Sequence, residues 1–465
     1  MLTLMLLCIP VLLAGLLLTV HMLPKNGSGA ALLCLLLLVM VSGIQLNIGY
    51  RDAHVDLTVF ILFVTDLSLA AYLVLKRKTQ SLGGSSNDPF RFWLTAVSFF
   101  VLILLLVLQS YALDIFEYGL YVYHSNLLLN LLLLAALFYL FGKLEVGSST
   151  ILLCMTGYSL INSLLGVLQY VTNKPLLLFS VQDSINYYEG AKVAKRVIGF
   201  VGASNGAGNL AAVFFPVLLY YFMKKKNLFG LAAVLLNAIF LFLTFTRIGY
   251  LSVCVQFLIF LLYARLGTRF QLLKRLGALT AVAMAAVMVY QIFYDELYQV
   301  LFLDRGNTES HRFVQFAGAF DVLKEHPWLG VGAGQYVPYM EAYHGIADIA
   351  LHSQFMNVLV EQGIFGFTLF SFVYLSLFAW SLKKYRGEAW FPVSLFLGNL
   401  IVVNFNPNQY YSLCTYTFFI IAFGLVFARK SGVGTAAEEN VPMEPLKCPS
   451  PKKQVINIMQ VNKGV

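Results

Sequence analysis

The chain has 465 residues, of which 59% are apolar and only 11% charged, against about 25% charged in an ordinary soluble domain. With a mean hydropathy of +0.78, this composition excludes a disordered chain, a coiled coil and a water-soluble enzyme, and leaves an integral membrane protein that crosses many times. The net charge of +9 points first to lysine- and arginine-rich cytoplasmic loops, with no nucleic acid as partner.

In chain order, apolar runs stand at about 3–22, 30–47, 57–75, 93–113, 125–142, 150–171, 207–223, 228–245, 249–264, 276–293, 363–382, 390–405 and 411–428. Each is expected to be helical, because lipid offers the backbone no hydrogen-bond partner. The expected fold is therefore an all-α integral membrane protein of about 12–13 transmembrane helices with a large, partly helical outer loop. The first run lacks a basic flank and a small-residue cleavage site, and reads as a retained span. The organisation that follows is 1–171 N-terminal helices, 172–206 an outer loop, 207–293 central helices, 294–362 a large outer loop, 363–428 C-terminal helices and 429–465 a disordered cytoplasmic tail.

Charge orients these spans. With the C-terminus cytoplasmic, 22 of the 31 basic residues fall inside, most visibly Lys224–Lys226 and Lys383–Arg386. Thirteen spans put the N-terminus outside; a twelve-span arrangement puts it inside. The outer side is acidic apart from a few cations. Asp66 lies within the third run, and its sequence neighbours name no partner. The six cysteines show no CxxC or metal-type spacing and read as small buried hydrophobes.

In the large outer loop, 309–325 reads as a helix with Phe313, Phe316, Phe320 and Leu323 on one face and Arg312, Gln315 and Lys324 elsewhere. Pro327 ends it. The glycine-rich stretch Trp328–Tyr336 follows, including Gly332. It has no preceding strand to make it a dinucleotide site, and reads as a tight turn beside a substrate groove. A second helical stretch runs from His352 to Glu361, with Ser353, Asn357 and Glu361 as a polar stripe. Gly363 and Gly366 then allow a bend at membrane re-entry. Six of the seven histidines, His54, His124, His311, His326, His344 and His352, map outside. No HxxxH or HExxH spacing supports a metal among them, and solvated or hydrogen-bonded roles account for most. His352 differs in its setting, at the mouth of a helix bundle.

Arg247 stands between two apolar runs with almost no loop. It either snorkels to headgroups or clamps an anion, since guanidinium pairs bidentately with phosphate. Lys192, Lys195 and Arg196 precede Gly199, Gly202, Asn205, Gly206 and Gly208, a glycine-rich helix entry of the kind that favours an anion. Arg196, Arg247 and Arg312 are candidates to gather around a diphosphate; plain solvation is the alternative for each.

On these residues the chain resembles the O-antigen ligase and O-antigen polymerase superfamily of bacterial multispan enzymes. His352-Ser353, nine residues, and Gly363-Ile364-Phe365-Gly366 match the ligase signature, with Phe367 departing at its last position. Pro327, Leu329, Gly330 and Gly332 match a "PxLGxG" stretch. Arg196-Val197-Ile198-Gly199-Phe200, with Asn205 downstream, matches an Arg-x-x-Gly-Phe element, and Thr246-Arg247-Ile248-Gly249 an arginine between two spans. The resemblance covers about 190–370.

The resemblance implies a glycosyltransferase of the bacterial cytoplasmic (inner) membrane that moves a glycan from an undecaprenyl-diphosphate-linked donor to an acceptor hydroxyl on the outer face. No cofactor and no metal are expected, and inversion at the anomeric carbon is. The acceptor is lipid A core, a protein or another lipid-linked glycan, with membrane lipids as surroundings. His352, Arg247 and Arg196 are the expected catalytic residues. Arg312, Asn205, Lys195, Gly332, Ser353 and Glu361 are the expected substrate-binding residues, with Glu361 also a candidate to orient His352. A repeat-unit polymerase shares this chemistry and differs in the acceptor. A polysaccharide transporter or flippase is the reading from another class, and predicts inverted repeats that the sequence lacks.

Overall fold

The structure is a computed structural model. It describes residues 45–47, 54–56, 89–112, 147–177, 184–189, 192–264, 308–346, 351–406 and 412–427, with scattered positions between 131 and 141 and residue 277. All of them belong to one unit, Met1–Arg429. The expected spans at 3–22, 57–75 and 276–293, Asp66 and the tail lie outside the described residues.

The first described elements are two short strands, β1 (Gln45–Asn47) and β2 (His54–Asp56), paired antiparallel. The apolar run 30–47 was expected to stay helical to its end; its last residues instead pair with the polar connector that follows. Helix α1 is Pro89–Ala112 and α2 is Ser148–Thr172. A hairpin, β3 (Asn186–Glu189) and β4 (Lys192–Lys195), comes next, in a register that sets Glu189 opposite Lys192. The segment 172–206, expected as loop, thus carries strands, because a hairpin pairs its own backbone groups locally. A 3-10 turn at Gly199–Val201 leads into α3 (Ser204–Lys225).

Two-residue turns then fold α3, α4 (Leu228–Thr244) and α5 (Arg247–Tyr263) against one another. At the first turn Lys226 adopts φ 47°, and the Asn227 side chain accepts from Gly230 N–H at 2.9 Å. At the second, Phe245 adopts φ 49°. The segment before α8 supplies α6 (Thr308–Glu325) and α7 (Tyr336–His344). The remaining helices are α8 (Gln354–Lys384), α9 (Trp390–Val403) and α10 (Ser412–Phe427).

Among the described residues, four helices are long and apolar enough to cross a membrane: α1 over Phe92–Gln109, α2, α3 and α8. Shorter apolar helices are Leu228–Thr244, Arg247–Tyr263, Trp390–Val403 and Leu413–Phe427. The chain is an all-α membrane protein, with strands among the described residues confined to the two hairpin pairs.

Helix α3 is buried along Gly206–Tyr221 and packs against α2, α4, α5, α9 and α10. Pro216 stands inside it. A proline has no N–H and pushes away the carbonyl four residues back, here Ala212 O. Gln256 of α5 donates its Nε2–H to Ala212 O at 2.9 Å, and Asn237 of α4 donates to Ala211 O at 3.1 Å. The neighbouring helices therefore repair the break that proline makes, as an apolar setting demands. Gly398 of α9 makes this possible: a Cβ there would sit on the Gln256 amide, at 1.6 Å from Nε2.

The ends of the bundle differ. At one, Lys224 pairs with Glu388 at 2.5 Å, Tyr220 OH donates to Glu388 at 2.6 Å, and Lys384 Nζ donates to Val426 O at 2.9 Å. This end holds the lysine-rich turns. The other end holds the N-termini of α3, α5 and α8 and the C-termini of α2, α4 and α9.

Helix α6 covers the expected range with a different buried face. Among its described side chains Ala319 and Val322 are buried, in a cluster with Tyr336, Tyr339, Met340, Leu351 and Val360, and the Phe313 side chain lies outside the described residues. Phe320 is 51% exposed, and Phe316 and Leu323 are half-buried. Close packing against the α7 and α8 side chains selects small residues at these positions.

Candidate functional site

The end opposite the lysines carries the candidate residues on three helix entries. The first is the approach to α3. Arg196 is 3% exposed. Its Nε–H donates to Thr244 O at 2.9 Å, and Nη2–H donates to Asn205 Oδ1 at 2.9 Å and Phe245 O at 3.4 Å. The guanidinium thus gathers carbonyl groups left open where α4 ends, and Asn205 completes the cage. The Arg-x-x-Gly-Phe element is fixed from below by α2. Gln169 Oε1 accepts from Ile198 N–H at 3.2 Å and Gly199 N–H at 2.9 Å, and Asn162 Oδ1 accepts from Phe200 N–H at 2.9 Å. Gly199 has φ 53°, and a Cβ there would lie 2.6 Å from Asn162 Oδ1. Lys195 places its ammonium 4.7 Å from the centre of the Tyr170 ring.

The second entry is α5. Arg247 is its first residue and follows directly on the turn that Arg196 holds. Thr246 Oγ1–H donates to Ser204 O at 3.0 Å, and Gly208 leaves room for the Thr246 side chain, which a Cβ would meet at 2.5 Å. The first turns of α3 and α5 therefore lie side by side, with Arg247 at the junction. Both carry the positive end of a helix dipole, so the junction favours an anion.

The third entry is α8. Ser353 is its N-cap: Oγ accepts from Met356 N–H at 3.3 Å and donates to Asn404 Oδ1 at 2.7 Å. Two residues on, Asn406 O accepts from Asn209 Nδ2–H of α3 at 2.9 Å. The turn 404–406 thereby ties the α8 entry to the α3–α5 junction. His352, just before the cap, is exposed, and its Nδ1 lies 3.3 Å from Gln315 Oε1 of α6.

Glu361 lies on the buried side of α8, 6% exposed. Its carboxylate accepts from the backbone N–H groups of Gly334 and Tyr336, at the entry to α7. It was a candidate to orient His352; Gln315 makes the contact with that ring, and Glu361 clamps the glycine-rich turn.

That turn is spliced into α8. Gly363 has φ 65° and ψ −173° inside the helix. The break separates Val360 O and Glu361 O from their helical donors, Ile364 N–H and Phe365 N–H. Each of the four groups finds a partner in the turn. Ile364 N–H donates to Pro327 O at 2.9 Å and Phe365 N–H to Trp328 O at 3.3 Å, while Val360 O accepts from Val331 N–H at 3.1 Å and Glu361 O from Gly332 N–H at 2.9 Å. Gln109 of α1 adds Nε2–H bonds to Leu329 O and Glu361 O. Gly332 therefore spends its N–H on this splice. Arg312 is a residue of α6; its side chain lies outside the described residues.

Sequence reasoning gave no role to Gln315, Asn404, Asn406, Gln109 or Gln169. Two of these carried a signal, since a glutamine near the end of an apolar run, as at 109 and 169, needs a partner in lipid. Among the described residues no three His, Cys, Asp or Glu side chains gather as a metal set.

Residues 232–371 match the family model described as O-antigen ligase. Over that stretch the chain is similar to the O-antigen ligase family. The stretch contains Arg247, Arg312, Gly332, His352, Ser353 and Glu361; Lys195, Arg196 and Asn205 precede it. Among curated proteins, none matches the chain.

Proposed function

We propose that the protein is a metal-independent, inverting glycosyltransferase of the bacterial cytoplasmic membrane. It moves a glycan from an undecaprenyl-diphosphate-linked donor to an acceptor hydroxyl at the outer face, with ligase-type chemistry. The observation that carries this reading is the tie between the His352 entry and the Arg247 junction through Ser353–Asn404 and Asn406–Asn209.

In this mechanism the diphosphate lies against Arg247 and the first turns of α3 and α5. Arg196 and Asn205 shape the turn that presents Arg247. The acceptor oxygen attacks the anomeric carbon from the face opposite the diphosphate, and its proton passes to His352 Nε2. The bond from the anomeric carbon to the diphosphate oxygen breaks, and the electron pair leaves with the lipid diphosphate. Fixed cationic groups stabilise that growing charge more than the ground state, which is what accelerates the step. A histidine titrating near pH 6.5 suits a base working near neutrality. Lysines gathered at the opposite end support an outer location for the site.

The test is transfer in liposomes from an undecaprenyl-diphosphate-linked oligosaccharide to lipid A core. A single new product supports ligase chemistry, a ladder of products growing on the donor shows a polymerase, and neither product overturns the reading.

A further inference from the structure

Phe355 follows His352 closely, near the start of α8, yet it meets rings from much further along the same helix. Its ring centre is 6.3 Å from that of Phe367, 5.5 Å from Phe370 and 5.9 Å from Tyr374. In a straight α-helix Phe355 and Tyr374 would stand about 28 Å apart, at about 1.5 Å per residue. The positive φ at Gly363 therefore turns the chain back, and the arm 354–362 runs alongside the stretch that follows the bend. Gln354 and Phe355 accordingly line one cleft with Phe370, Tyr374 and Asn399.

Heights along the neighbouring helices agree. The lysine end is a common base, where Lys384 ends α8, Lys225 ends α3 and Trp390 opens α9. From that base Ile364 lies about 30 Å up α8, close to the thickness of a hydrocarbon core. Phe370 and Tyr374 lie about 21 and 15 Å up. Phe355 also packs against the cluster of Ala212, Val402 and Val403, which stand about 18–20 Å up α3 and α9. Ser353 reaches Asn404, just past the end of α9. Three helices thus set the entry with His352 and Ser353 about 10 Å nearer the lysine end than the Gly363 bend.

We propose that this arm is re-entrant, carrying His352 and Ser353 down inside the apolar thickness of the bilayer. The site is then served from within the lipid leaflet, by an amphiphile whose polar head descends to it. This rests on the reading of His352 as part of an outer-face transfer site. The flank beside Arg247 fits. Helices α4 and α5 have 17 residues each, about 26 Å of rise against a core of about 30 Å. Leu235, Ile239 and Phe242 of α4 and Leu251 and Leu258 of α5 are exposed, an apolar face for lipid to cover. Helices shorter than the core draw the bilayer thinner around them, so headgroups come down toward the Arg247 junction. On the other side the bend stands at full height. Gln109, the last residue of the α1 apolar stretch Phe92–Gln109, bonds Leu329 O and Glu361 O there, and Trp328 is exposed at the level that tryptophan favours.

The experiment images the full chain by electron cryomicroscopy in nanodiscs of phosphatidylethanolamine and phosphatidylglycerol, and reads helix heights against the bilayer density. Ser353 is expected about 10 Å below the outer hydrocarbon edge that meets Ile364, with the disc thinner beside α4 and α5 than beside α1. Ser353 outside that edge, or a disc of even thickness, overturns the inference. Transfer is also timed in vesicles of phosphatidylcholine with short, medium and long monounsaturated chains, at a fixed donor fraction. A thicker leaflet lifts headgroups away from a sunken site, so the rate is expected to fall roughly three- to tenfold from the shortest chains to the longest. A rate that stays level or rises overturns the inference. If His352→Ala keeps full transfer, the functional reading fails instead, and the measured depth still decides the placement.

Discussion

Gly330 and Gly363 each make room for the backbone beside the other. A Cβ on Gly330 would lie 2.4 Å from Val360 O and 2.6 Å from Glu361 O, and one on Gly363 would lie 2.2 Å from Trp328 O and 2.6 Å from Leu329 N. Both have positive φ, 69° and 65°. The two glycine motifs are therefore one object, a backbone splice that holds the broken helix α8 to the turn in front of it.

Gly330→Ala and Gly363→Ala are expected to cost about 3 kcal/mol or more, since the clash with fixed backbone adds to about 1–3 kcal/mol for a positive-φ backbone that side chains disfavour. Gly345 has φ 66° with nothing within 4 Å of its Cβ position, so Gly345→Ala should cost about 1 kcal/mol. Thermal unfolding in detergent separates the pair from the control; equal losses at all three positions would refute the splice.

The repair at Pro216 predicts coupling. Gln256→Leu strands Ala212 O and should cost about 1–3 kcal/mol. In a Pro216→Ala background, a backbone N–H at 216 reaches that carbonyl, and the same Gln256 change should become nearly neutral. A double-mutant cycle by denaturant unfolding reads this directly. Strictly additive costs would show that Gln256 serves some other contact.

The two arginines should fail differently. Arg247→Lys loses the bidentate fork and is expected to lower transfer roughly a hundredfold with unfolding unchanged. Arg196→Ala leaves Thr244 O, Phe245 O and Asn205 without their donor, and should lower both stability, by about 1–3 kcal/mol, and transfer. Near-normal turnover of Arg247→Lys in a reconstituted assay counts against the diphosphate contact. A stable, inactive Arg196→Ala would instead make Arg196 a direct ligand.

Transfer is expected to persist in EDTA. Abolition by the chelator with recovery on adding Mg²⁺ or Mn²⁺ would contradict the metal-independent reading.

Much of the described architecture was legible in apolar runs, because lipid leaves a spanning backbone few choices. The bend at Gly363 and the place of His352 at a helix entry were legible too, from glycine freedom and a change in hydropathy. What escaped depends on pairs far apart in the chain. Arg196 reads as a cation near a glycine-rich entry, and the carbonyls that bury it lie 48 and 49 residues on. Gln315 is 37 residues from His352. Period alone also misjudged α6, where Phe316, Phe320 and Leu323 look like a core face and Ala319 and Val322 are the buried pair. Apolar patterning ranks faces by affinity for water, whereas a helix packed among others chooses its buried face by fit.

The central claim is that His352 takes the acceptor's proton in a transfer on the outer face. Its most direct test is His352→Ala in cells and in a purified assay, read as transferred glycan and as lipid-linked donor on the outer leaflet. The account predicts loss of transfer with the donor present on that leaflet. Transfer at the wild-type rate, or a donor that no longer reaches the outer leaflet, would contradict it.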